Sequence, residues 1–287
     1  MHINKKVEPY LWMLPAFLIV SFATIFPLSF AFNYSLHDTI VFQRQRFVGF
    51  RHYIGLLDDR RFLINVTNTL FFTLIGIVIA LVIGFIISLL IRKPSKINSI
   101  YRTIILIPWA TNEVVLGLMW TWLLNPHMSI IYYWAEEINI SLPNFLGRDL
   151  ALITVTVLNA WRSLGFSLVM ILAAFASIPK ELEEACLVDG CNRFQRVWHL
   201  ILPMIRPVIL VIIIILTISF FNIVSFVLVL TGGGPIFATE ILSIRLYIET
   251  FVFFNISLAS VLTTVMLVMN LGFVGIYKKL IREESYY

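Results

Sequence analysis

Six apolar runs divide this chain: about Leu11–Leu36, Asn68–Ile91, Thr103–Leu124, Leu150–Ala176, Val208–Leu230 and Ser257–Leu280. Each reaches the roughly 20 residues that a helix needs to cross a hydrocarbon layer. Lipid offers the backbone no hydrogen-bond partner, so every span must satisfy its own N–H and C=O groups, and all six are expected to be helices. The first run is far longer than the core of a signal peptide, and no A-x-A cleavage site follows it. It is therefore read as an uncleaved first span, bent by Pro15 and Pro27. Only 13% of the residues are charged and 60% are hydrophobic, against about 25% charged in an ordinary soluble domain. The expectation is an all-α integral membrane protein with no soluble domain of its own. It comprises a tail (1–10), a first helix with its outer loop (11–67), a main membrane domain (68–280) and a second tail (281–287).

Lysine and arginine set the orientation. With both termini inside, the inner segments carry 13 of the 21 Lys and Arg residues and the outer loops 7, with Arg162 inside a span. The loop 37–67 runs against this bias, because five Arg stand there beside Asp38, Asp58 and Asp59. The net charge of +5 thus reads as membrane topology, and no nucleic-acid partner is expected. The two cysteines, Cys186 and Cys191, imply no disulfide framework, and no metal-ligand cluster is expected.

The segment Ser177–Pro207 differs from the rest: long, charge-rich and patterned for structure. Ser177 is suited to cap a helix and Pro179 fits its first turn. Glu181, Glu183 and Glu184 follow where the helix dipole favours acids, and Gly190 is a natural stop. A second short helix carrying Arg193, Arg196, Trp198 and Leu200 is expected to end near Pro203. The segment resembles the EAA loop of binding-protein-dependent ABC importer permeases, whose pattern is E-A-A, three residues, G, nine residues, I-x-L-P. Here it stands as Glu184, Ala185, Cys186, then Gly190, then Leu200, Leu202 and Pro203, with Cys186 in place of Ala and Leu200 in place of Ile. The bland alternative is an amphipathic helix resting on lipid headgroups, which would favour Lys and Arg over this acidic cluster.

No G-x-x-x-x-G-K-[ST] sequence occurs, so the chain is not expected to hydrolyse ATP or to act as an enzyme. Neither H-E-x-x-H nor G-x-S-x-G is present. Ionisable residues within spans are costly and point to function; here they are Glu113 and Arg162. Glu113 has Asn112 beside it and Trp109 one helical turn back, a set suited to a polyhydroxylated ligand with an apolar ring face. A structural ion pair with Arg162 is the competing reading. Asn159 and Ser163 lie one turn apart on the Arg162 helix, and interhelical hydrogen bonding is their bland alternative. TGGGP at 231–235 reads as a tight turn ending the fifth span.

The likeness extends over roughly 10–280. IPWATNEVVLGLMWTWLLNP, Trp161-Arg162 and LTGGGPIFATEILS resemble the carbohydrate branch of these permeases, in particular the larger-permease type of maltose and glycerol-phosphate systems. The resemblance implies a type I importer fold with cytoplasmic coupling helices, in the prokaryotic cell membrane. It also implies a heterodimer with a second permease, two ATPase subunits that hold ATP and magnesium, and an outer solute-binding protein; no cofactor is implied in this chain. Carried over by position, Glu184 would meet an ATPase arginine, and Ala185, Cys186, Asp189 and Gly190 would complete the coupling turn. Sugar-facing positions map to Trp109, Glu113, Asn159 and Ser163, and in the fifth span to Leu216, Phe220 and Ile223, with Ser219 and Asn222 nearby as polar substitutes. Two other readings stay open: an ABC importer for a non-sugar solute, and a secondary transporter driven by an ion gradient through Glu113.

Overall fold

A computed structural model describes residues 8–280. Lys5 and Lys6 of the first tail, and the second tail from 281 to 287, lie outside the described residues. The described residues divide into two compact units, one of residues 8–60 and 246–267, the other of residues 61–245 and 268–280.

In the first unit, α1 (Glu8–Ser35) is a single helix that contains both prolines. None of its most apolar window is buried against the chain, as suits a span facing lipid or a partner. The loop that follows is folded: an antiparallel hairpin, β1 (His37–Ile40) and β2 (Gln43–Phe47), and a short helix, α2 (Arg51–Leu57). Ser257 fastens the hairpin. Its hydroxyl donates to the His37 carbonyl at 2.8 Å and lies 2.8 Å from the Thr39 hydroxyl.

The second unit is built from α3 (Arg60–Ile91), α4 (Lys96–Ala110), α5 (Glu113–Leu123), α6 (Ile130–Glu137) and α7 (Ala151–Ala176). After these come α8 (Lys180–Val188), α9 (Arg193–Arg196), a π turn (Val197–Ile201), α10 (Leu202–Asn222) and α11 (Ser225–Thr231). Helices α12 (Leu242–Phe251) and α13 (Ile256–Leu280) each belong partly to both units. Among the described residues, five helices are long and apolar enough to cross a membrane, and the α4–α5 pair makes a sixth span if counted as one.

Several boundaries depart from the sequence reading. The third span is not one helix: α4 and α5 meet at 95° across Thr111 and Asn112. A break inside an apolar layer exposes backbone groups that must find partners. Thr111 donates its hydroxyl to the Ile107 carbonyl at 2.7 Å, and the Asn112 side-chain Oδ1 accepts from the Val114 N–H at 2.8 Å, capping α5. The fifth span breaks as well, at Ile223 and Val224. Ile223 is extended, and Ser243 donates to its freed carbonyl at 2.6 Å. No separate helix ends at Pro203; residues 193–222 form one apolar span. Ser177 ends α7, with its hydroxyl on the Ala174 carbonyl at 2.8 Å, and it is Pro179 that occupies the cap position of α8. The TGGGP turn does end α11, with Gly232 left-handed at φ 62°.

The core is aromatic where α3 meets α10 and small where α7 meets α3 and α4. Phe72 and Phe220 are fully buried, with ring centroids 5.1 Å apart. Leu216, Phe220 and Ile223 are buried in the chain. Gly165 of α7 lets α4 come close, since a Cβ there would lie 2.7 Å from Trp109 Cβ and 3.1 Å from the Ile105 carbonyl oxygen. Backbone cannot swing aside as a side-chain tip can. Gly165→Ala is thus expected to destabilise by about 1–3 kcal/mol, the usual cost of overpacking. Gly275→Ala, which meets nothing within 4 Å, should stay within about 0.5 kcal/mol. Thermal unfolding midpoints in one detergent compare the two, and equal midpoints would refute the packing argument.

A buried polar lock joins the start of α3 to the loop after α11. Arg61 donates two hydrogen bonds to Glu240, at 2.9 and 3.0 Å, with its guanidinium over the Phe237 ring. Asn65 donates to the Glu240 carboxylate at 3.0 Å and accepts from Arg245 at 3.2 Å. Asn68 donates to the Phe237 carbonyl at 3.0 Å.

Candidate functional site

The coupling loop is sorted by the faces of α8. Glu183 points toward the body of the chain, forming an ion pair with Arg92 at the end of α3 and lying 3.9 Å from Arg196. Arg92 also lies over the ring of Phe175. Glu184, Ala185 and Asp189 are exposed, while Cys186 is half-buried. Of two adjacent acids, one is thus committed within the chain and the other is presented outward.

Helix α8 ends in a Schellman motif. Gly190 sits at φ 81°, its N–H donates to the Leu187 carbonyl at 3.1 Å, and the Cys191 N–H donates to the Cys186 carbonyl at 2.9 Å. This pair of bonds satisfies carbonyls the helix end would leave open, and only glycine takes the left-handed position at little cost. The motif brings the two cysteines to a Cα–Cα separation of 5.3 Å, and they are disulfide-bonded. This corrects the expectation that they imply no pairing. The readable signal was the register: cysteines at the third position from the helix end and at the second residue past the cap, which the motif places side by side. Beyond the turn, Asn192 and Gln195 form a capping box that starts α9.

The polar residues of the spans gather where α4, α5 and α7 meet. Arg162 Nη1 lies 3.0 Å from Glu113 Oε1, so the two intramembrane charges neutralise one another. Arg162 Nε also donates to Asn159 Oδ1 at 3.3 Å. The Asn112 cap places Glu113 in the first turn of α5, where its carboxylate suits the helix dipole. Trp109 packs against Phe166 with ring centroids 6.0 Å apart and remains 44% exposed. Trp120 meets Trp161 edge-on at 5.6 Å. Ser163 donates its hydroxyl to the Asn159 carbonyl within the same helix at 2.8 Å, and its oxygen keeps lone pairs to accept with. Asn222 is exposed at the end of α10 but already donates to the Ile218 carbonyl at 2.7 Å. Two buried donors here, Asn159 Nδ2 and Trp120 Nε1, have no hydrogen-bond partner among the described residues. Buried polar groups are nearly always satisfied, so these two await water, a ligand or a neighbouring chain. Nothing local in the sequence separates Trp120 from the other membrane aromatics, and sequence reasoning gave it no role. It also missed the Arg92–Glu183–Arg196 set and the Glu240 lock.

A multi-span helical protein that presents an exposed acidic helix and a capped turn between two spans has the build of a membrane permease component. The pattern of the binding-protein-dependent transport system inner membrane component family matches residues 73–283, and the chain belongs to that family. It is a multi-pass membrane protein. It is 29% identical over 275 residues to the trehalose/maltose transport system permease protein MalF of Thermococcus litoralis, covering 94% of this chain and 92% of that one. It is 26% identical over 281 residues to the sn-glycerol-3-phosphate transport system permease protein UgpA of Yersinia pestis, covering 97% and 95%. Among solved structures, a chain of a bacterial alginate ABC transporter in complex with an alginate pentasaccharide-bound periplasmic protein shares its fold, with a TM-score of 0.80 at 21% identity over 98% of both chains.

Proposed function

We propose that this chain is one permease subunit of an ATP-driven importer for a sugar or oligosaccharide, working beside a second permease, two ATPase subunits and an outer solute-binding protein. The observation that carries the reading is the α8 loop. Its outward face presents Glu184, Ala185 and Asp189, while Glu183 anchors the inward face through Arg92. Glu184 and the Gly190 turn sit in the cleft of the ATPase, so that closure of the ATPase pair on ATP drags α8. Movement of α8 passes through the short link 189–192 into α9 and α10, a span continuous with it, and the pathway opens alternately to the two sides. The relatives named for trehalose/maltose, glycerol phosphate and alginate support the sugar class.

Trp109, Glu113, Asn159 and Asn222 are the pathway residues of this reading, with Ser163 shaping the Asn159 turn from behind. Asn159 Nδ2 and Trp120 Nε1 are the unengaged donors, and Trp109 offers an exposed ring face. Together they suit hydroxyl oxygens and the apolar face of a pyranose ring. An ion-gradient carrier using Glu113 is disfavoured, because that carboxylate is already answered by Arg162.

Affinity purification from the native membrane tests the assembly. A second six-span permease and an ATPase with a P-loop are expected to come with this chain. Reconstituted in vesicles with its binding protein, the complex should take up a labelled sugar only when ATP is supplied on the α8 side. Uptake driven by an ion gradient without ATP would overturn the reading.

A further inference from the structure

Cys186 belongs to the expected coupling turn by position, but the transport reading gives neither its sulfur nor that of Cys191 any chemistry. The two cysteines stand on either side of the short segment, residues 189–192, that joins the exposed helix α8 to the helix that becomes a span. The backbone N–H groups of Asp189, Gly190 and Cys191 hold it to α8, the Asn192–Gln195 capping box starts α9, and Glu183 lies 3.9 Å from Arg196 across it. Gly190 within it meets nothing within 4 Å of where a Cβ would be, so packing does not stiffen it. In a Schellman motif the third residue from the helix end commonly touches the second residue past the cap through an apolar contact. Here those two positions are both cysteine, with Cα atoms 5.3 Å apart, inside the range that a disulfide bridges without backbone movement. Cys186 shares the inward-facing side of α8 with Glu183, one helical turn back. A bond to Cys191 therefore leaves the Glu184 face unobstructed.

We propose that Cys186 and Cys191 form a reversible thiol–disulfide site whose oxidation locks the turn between α8 and α9. The orientation drawn from the Lys and Arg bias puts this loop on the cytoplasmic side, where thiols are kept reduced and disulfides are transient and redox-responsive. The disulfide of the structure is then the oxidised form, the dithiol is the form that this compartment favours, and a low-molecular-weight disulfide such as oxidised glutathione is the oxidant. One thiolate attacks that disulfide, forming a mixed disulfide and releasing one small thiol. The second thiolate then attacks the protein sulfur, forming the Cys186–Cys191 bond and releasing the second small thiol. The protein pair loses two electrons and two protons; the small disulfide gains them. The preformed turn favours the second displacement over a lasting adduct, because the two sulfurs are held together before reaction. The consequence for import rests on the coupling role proposed above, since a covalent strut replaces a turn held by hydrogen bonds along the route from α8 to α10.

The test uses the full-length chain in lipid nanodiscs, titrated with reduced and oxidised glutathione, quenched in acid and capped with a maleimide. Mass spectrometry of the loop peptide is expected to show both thiols lost together, as an internal bond without glutathione. Cys186→Ala should leave Cys191 to form a lasting glutathione adduct. Hydrogen exchange should show the Gly190 and Cys191 amides slowed at least about fivefold in the oxidised form, with no such difference in the Cys186→Ala/Cys191→Ala variant. Independent capping of the two thiols by glutathione in the parent chain, or identical exchange in the two redox forms, would overturn the proposal. Both measurements are made on the loop itself, so their outcome is separate from whether Glu184 meets an ATPase.

Discussion

Glu184→Lys is expected to reduce ATP-driven uptake to background while leaving the membrane fold intact. The side chain is exposed on α8, and among the described residues no hydrogen bond or ion pair holds it, so its loss removes no such contact. A lysine there places a cation where the reading puts an ATPase arginine. Opposing like charges at an interface cost several kcal/mol, and about 3 kcal/mol weakens association by more than a hundredfold. Glu183→Lys provides the contrast. It breaks the anchor to Arg92 and adds a third cation beside Arg92 and Arg196, so it should lower the unfolding midpoint as well as uptake. The measurements are ATPase pull-down, sugar uptake in vesicles and thermal unfolding, made side by side. Normal uptake by Glu184→Lys would remove Glu184 from the coupling role.

The six spans were legible because length and apolar composition alone decide them. The EAA-like loop was legible because its signals are local: acids early, a glycine stop and fixed spacing. What escaped depends on partners far apart in the chain or on breaks without punctuation. The 95° turn at Thr111–Asn112 lies three residues beyond Pro108, the residue that pattern reading would blame. The asparagine cap that makes it was instead noticed as a neighbour of Glu113. The break at Ile223–Val224 is flanked by Asn222 and Ser225 inside a run read as one span, and Ser243, twenty residues on, answers the freed carbonyl. Glu240 carries no local signal because its partner Arg61 is 179 positions away. Leu216, Phe220 and Ile223 were carried over by position from a resemblance, yet Phe72 and Gly76 of α3 claim the Phe220 face of that helix. The pairing of Glu113 with Arg162 stood among the alternatives, because two opposite charges in an apolar layer have strong reason to meet.

That pair yields the other large effect. Arg162→Met strands Glu113 beside an apolar layer, whereas removing both charges leaves no charge to strand. Breaking a buried pair from one side commonly costs about 3–5 kcal/mol. Glu113 keeps 36% of its side-chain surface exposed, so screening by solvent reduces this to roughly 2 kcal/mol. Arg162→Met also deprives Asn159 Oδ1 of its donor, which adds to the loss. Glu113→Gln alone leaves Arg162, only 8% exposed, with its charge unanswered and should cost a similar amount. The double variant Glu113→Gln/Arg162→Met is expected to recover most of the unfolding midpoint, because swapping a buried ion pair for neutral groups is often close to neutral. Uptake separates structure from pathway. If the pair only holds α5 against α7, uptake returns with the midpoint. If Glu113 also receives sugar hydroxyls, the double variant folds normally yet transports sugar at least about tenfold more slowly, the equivalent of one charge-assisted hydrogen bond of roughly 1.4 kcal/mol or more. The pathway role of Glu113 predicts the second result, and full uptake at full stability would remove Glu113 from the site.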